Sequence, residues 1–144
     1  MNNVSETVKA FFEGMEKSGN SLDLELISSQ YEDTFMFADP NGTQVIEKQK
    51  FLAALPRRQE FFKMLGYQST EILSLEEIEL DNQYVMVKAH FLMQFKKATE
   101  ELLEADLNST FILNIKNDIP KIVFQIEHHE LQKAMQELGL LPVK

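Results

Sequence analysis

The feature that most constrains this chain is a change of period at Gln68. Beyond it apolar and polar residues alternate over segments too long and too regular for helices, and alternation of this kind predicts strands. Residues 70–80 and 83–97 predict two long strands joined by Asp81-Asn82, a pair that tolerates positive φ in a tight hairpin. Residues 105–116 and 121–127 predict a second hairpin around Asn117-Asp118. The segment 98–104 between the hairpins reads as a mobile tip or a helical turn. One face of the longest strand carries Val85, Val87, Ala89, Phe91, Met93 and Phe95, answered on the next strand by Leu107, Phe111, Leu113 and Ile115. A sheet face this apolar has to be covered, and helices are the expected cover. The opposite face interleaves Met86, Leu92, Ile112 and Val123 with Lys88, Gln94, Asn114 and Gln125. That is more apolar than a solvated face requires, and predicts a homodimer packed sheet to sheet.

The covering helices precede the sheet. Ser5 is placed to cap a helix with Val8, Phe11, Phe12 and Met15 on one side, ended by Ser18-Gly19-Asn20. Ser21 is expected to cap a shorter helix carrying Leu22, Leu24, Leu26 and Ile27. Residues 31–38 predict a first strand, with Phe35, Phe37 and then Asp39 on one face. A third helix is expected over 47–65, kinked or split into two by Pro56 because proline cannot donate to the helical ladder. His129, Leu131, Ala134, Met135 and Leu138, followed by Gly139 and Pro142, predict an amphipathic C-terminal helix over about 128–139.

No Pro/Gly/Ser-rich linker interrupts this order, so residues 1–144 are expected to form a single α+β domain. Composition then excludes partners. With 14 basic against 23 acidic residues, a net charge of -9 opposes nucleic acid and anionic membrane surfaces alike. The chain has no cysteine, which removes disulfides, thiol nucleophiles and thiolate metal ligands. No leader-like or ~18-residue apolar stretch is present, and a cytoplasmic location is the expectation.

The order of elements, with Tyr31-Glu32-Asp33 before the first strand, Phe37-Ala38-Asp39-Pro40-Asn41-Gly42 after it and residues 48–55 opening the next helix, resembles the nuclear transport factor 2-like superfamily, in its ketosteroid isomerase and SnoaL-like branch. The resemblance implies a cone, a curved antiparallel sheet wrapped around N-terminal helices in a cystatin-like arrangement, here extended by the C-terminal helix. It further implies an apolar pocket binding a hydrophobic small molecule, with no cofactor and no metal, and Asp39 in the place of the general base. The tyrosine that donates to the oxyanion in the isomerases falls at or near Phe12, which has no hydroxyl. The strand carrying the second donor has Asn108, Ser109, Thr110 and Phe111 instead of an aspartate. Loss of one oxyanion donor costs on the order of 100- to 1,000-fold in rate, so ketosteroid isomerase activity itself is not expected.

Two readings of Asp39 stand side by side. An apolar surround at the mouth of a pocket would raise its pKa toward a value useful for proton transfer. Alternatively, Asp39-Pro40-Asn41-Gly42 fits a type I turn position by position, the carboxylate accepting backbone N–H groups. The pocket lining would be Phe12, Met15, Phe35, Phe37, Phe61, Phe91, Met93, Thr110 and Phe111, residues that otherwise simply fill the core. Thr110 or Asn108 would supply a polar partner, and Arg57-Arg58 a rim charge. His128 and His129, adjacent in sequence, cannot chelate one ion from a helix, and His90 falls on the mixed sheet face. The expected function is therefore a small-molecule-binding protein, with isomerase- or cyclase-like chemistry at Asp39. The alternative is a non-catalytic interaction or scaffold module of the same fold.

Overall fold

A computed structural model describes residues 4–141. Two helices, α1 (Glu6–Ser21) and α2 (Leu24–Ser29), lead into the hairpin β1 (Tyr31–Asp39) and β2 (Gly42–Glu47), followed by α3 (Lys48–Met64). Four long strands come next, β3 (Tyr67–Glu79), β4 (Tyr84–Lys96), β5 (Leu102–Lys116) and β6 (Ile119–Glu127), and then α4 (Leu131–Glu137). They form one six-stranded sheet in the order β2-β1-β6-β5-β4-β3, antiparallel except where β1 and β6 run parallel. The sheet is curved and unclosed, and the helices lie against one face, the α+β cone expected from the sequence.

Ser5 caps α1 as expected, its Oγ accepting from the Val8 N–H at 3.2 Å. The helix outlasts Ser18-Gly19-Asn20, however, and runs to Ser21. Leu22 ends it by taking up a left-handed φ of 51°, and Asp23, not Ser21, caps α2 through the Leu26 N–H. The stop signal was therefore a backbone conformation at a leucine, which composition does not mark. Pro56 sits inside α3, which continues as one element to Met64 and is not split in two. The hairpin turns also differ from each other. Asn117 and Asp118, at the expected second hairpin, adopt φ of 52° and 61°, a double left-handed turn. Asp81 and Asn82 have no positive φ. There Asp81 Oδ1 accepts the N–H groups of Gln83 and Tyr84, which holds its carboxyl below the usual carboxylate range and shapes a wider loop. The segment 98–104 is a short turn at Ala98–Glu100 followed by the start of β5 at Leu102.

The inner face of the sheet gathers two apolar clusters. In the first, Val8, Phe11 and Phe12 of α1 pack on Val85, Val87, Ala89, Phe111, Leu113 and Ile122. The Phe12 ring lies 5.2 Å edge-on from Phe111. In the second, α4 lays Met135 against Phe95, Met93 and Ala105, with Phe62 of α3 closing the side. The C-terminal helix thus covers the far end of the β4–β5 hairpin. Among the described residues no helix is long and apolar enough to cross a membrane.

Candidate functional site

Between the two clusters the inner face turns polar, and the cause is one extra residue. On β5 and β6 the register runs Leu113 against Ile122 but Ile112 against Phe124, so Val123 is a β-bulge. A bulge shifts the alternation by one. Gln125, expected on the outer face with Lys88 and Asn114, is turned inward opposite Phe111, and Glu127 faces inward opposite Ser109. There they join a chain of hydrogen bonds. Tyr31 Oη donates to Gln125 Oε1 at 2.7 Å, Gln125 Nε2 donates to Glu127 Oε2 at 2.7 Å, and Ser109 Oγ donates to Glu127 Oε1 at 2.6 Å. Every donor points toward the Glu127 carboxylate, which is half-buried, while Tyr31 and Ser109 are buried.

Tyr31 is held from both sides. Its ring packs on Phe35 and Phe51, with centroids 4.6 and 4.8 Å away. Its carbonyl accepts from the buried Lys48 ammonium at 3.2 Å, which also binds the Ser28 carbonyl and pairs with Asp33. Burial chiefly, and the charge of Glu127 next, push the Tyr31 phenol well above its usual value of 10.0, with Arg58 pulling the other way. The phenol is therefore a donor throughout the neutral range. The folded form binds this proton more tightly than the unfolded chain, so its contribution to stability is complete below pH ~10 and is lost as pH rises above it. Tyr67, also raised by burial, acts in the same direction. Urea unfolding between pH 8 and 11 should show stability falling with pH, and Tyr31→Phe should flatten that slope. An equal slope in the variant would remove Tyr31 from the account.

Asp39 is the last residue of β1. In the parallel ladder Phe37 pairs with Gln125 and Ala38 with Ile126, so one step further Asp39 and Glu127 end neighbouring strands on the same face. The Asp39 Oδ1 accepts the Asn41 N–H at 2.8 Å across the turn to β2. The second carboxylate, Glu127, was missed by sequence reasoning because a bulge leaves no mark in the alternation of a short strand.

The other expected lining residues are distributed unevenly. Phe12, Phe35 and Phe111 are buried in the first cluster, with Met15 and Phe91 packed against it. Met93 belongs to the second cluster, behind α4. Phe61 is on the outside of α3, 40% exposed, since its neighbour Phe62 takes the inward position. Thr110 and Asn108 face outward because Ser109 and Phe111 face inward. On that outer side Thr110 Oγ1 meets His128 Nε2 at 2.7 Å, Asn108 meets His129, and His90 Nε2 meets Asp106 at 2.9 Å. Among the described residues no three His, Asp or Glu side chains are grouped to hold a metal ion. Two surface clefts lie elsewhere: about 300 Å³ beside Glu32, Asn114, Lys116 and Lys121, and about 220 Å³ beside Gly66, Lys96 and Gly139.

The fold is that of solved nuclear transport factor 2-like proteins. The chain is similar to a nuclear transport factor 2-like protein of unknown function from Shewanella oneidensis, at 16% identity and a TM-score of 0.70 over 86% of this chain and 98% of that one. A ketosteroid isomerase-like protein from Erwinia carotovora atroseptica aligns at 14% identity and 0.63, over 89% and 97%. The association domain of CaMKII from C. elegans aligns at 14% and 0.64, over 85% and 92%. No family model matches the sequence, and no curated protein matches it at a significant level.

Proposed function

We propose that the protein binds a hydrophobic small molecule at the inner face of the cone and performs proton chemistry there with Asp39 and Glu127, without a cofactor. The observation that carries this reading is the inward chain from Tyr31 through Gln125 to Glu127 and Ser109, set between two apolar clusters. An apolar site with a few convergent polar groups is the usual setting for a small ligand. Similarity in fold to an isomerase-like protein is in keeping with it.

The test is a panel of apolar carbonyl compounds, scored by thermal shift and by turnover, against the wild type, Glu127→Gln and Asp39→Asn. Binding is expected to weaken about tenfold or more in Glu127→Gln, which loses the charge that the chain converges on. Loss of turnover with retained binding in Asp39→Asn identifies Asp39 as the base. A panel in which no compound distinguishes the three proteins overturns the reading.

A second reading has its own observation. On the outer face Val45, Met36, Phe124, Ile112, Met86 and Ile78 are successive cross-strand partners, one from each strand of the sheet. None is buried. This apolar row supports association of two copies face to face, and a scaffold role in which the interior serves only as core. The likeness to an association domain agrees with it.

A further inference from the structure

The sheet has two free edges, β3 and β2, and they are treated in opposite ways. At β3 the exposed backbone is occupied by side chains of α1. Asn20 accepts the Thr70 N–H and donates to the Thr70 carbonyl, and Glu16 accepts the Ile72 N–H. Two register irregularities bend this strand, and it carries Glu71, Glu76, Glu77 and Glu79. These are the usual means by which an edge is kept from pairing. The β2 edge lacks them as far as Ile46, its single charge being Glu47 at the end of the strand. From Gly42 to Ile46 it bears no charge and no proline, and its ladder with β1 has no irregularity. Among the described residues, Thr43, Gln44, Val45 and Ile46 make no hydrogen bond besides that ladder. Val45 is 66% exposed.

We propose that β2 pairs antiparallel with β2 of a second copy, about a two-fold axis at Val45, to make one continuous twelve-stranded sheet. A second copy fits because the strand is self-complementary in this register. Val45 meets Val45, which joins the two apolar rows end to end across the axis, and Glu47 meets Thr43 instead of another carboxylate. Parallel pairing in register would set the two Glu47 side by side, which like charges disfavour. This contact is separate from the face-to-face association above and holds whether or not that association occurs.

The absence of cysteine from the chain makes the test direct. Val45→Cys, oxidised mildly at micromolar concentration, is expected to give a covalent dimer on a non-reducing gel, since directly opposed residues of an antiparallel pair lie within disulfide range. Ile112→Cys, in the middle of the row, reports the face-to-face contact, because edge pairing alone holds those two thiols more than about 30 Å apart. Adding Thr43→Glu to Val45→Cys sets carboxylates opposite Glu47 twice over and should slow cross-linking roughly fivefold, whereas Thr43→Lys should speed it. Cross-linking at position 112 without position 45 overturns the edge contact and leaves the face contact standing. No cross-linking at either position overturns both. Cross-linking at 45 that is indifferent to the charge at 43 overturns the edge register.

Discussion

Gly66→Ala should cost on the order of 4 kcal/mol or leave the protein unable to fold. Gly66 lies between α3 and β3 with φ of +90°, a conformation that residues with a Cβ rarely adopt. A Cβ placed there would stand 2.1 Å from the Lys96 carbonyl oxygen and 3.0 Å from its carbon. These are backbone atoms and cannot swing aside, because the Lys96 N–H is bonded to the Gly66 carbonyl at 2.8 Å. The strain and the clash therefore add, and relief of either would pull β4 away from the turn that starts β3. Gly19→Ala is the matched control. Gly19 lies inside α1 with nothing within 4 Å of the added carbon, and the change should stabilise by up to about 1 kcal/mol. Thermal unfolding of the two variants checks the pair, and similar melting temperatures would refute the close approach at Gly66.

Phe12→Ala should lose about 3–5 kcal/mol, as expected for a ring with no solvent exposure packed edge-on between Phe11 and Phe111. Phe12→Tyr separates a filled interior from an open one. This is the position at which the resemblance to ketosteroid isomerases would place a tyrosine. In a filled core the new hydroxyl finds no partner and costs about 1–3 kcal/mol. If the cone opens onto Phe12, the hydroxyl is solvated and the substitution is nearly neutral. Denaturant unfolding of both variants gives the answer, and a neutral Phe12→Tyr would extend the proposed ligand site to the helix α1.

The elements whose faces differ strongly in polarity were legible from residue types alone. The alternation of Val85 to Phe95 specifies β4 and its buried face, because a slip by one residue would place that whole set in water. Asn117-Asp118 specified its turn through a tolerance of positive φ. Where two local choices were nearly equal in energy, neighbours decided. Leu22 is left-handed although leucine has no preference for it, and Asp81 made its loop with a side chain.

The candidate site follows the same division. The sequence alone determined the strand order of types, the apolar inner face and the acidic residue at the end of β1, since these rest on period and on turn chemistry. Only the tertiary structure decided that Val123 bulges, that Gln125 and Glu127 consequently face inward to meet Tyr31 and Ser109, and that Thr110 faces out. A single inserted residue reverses the facing of everything after it on the strand, and its position is set by pairing with β5, a partner outside the strand's own sequence.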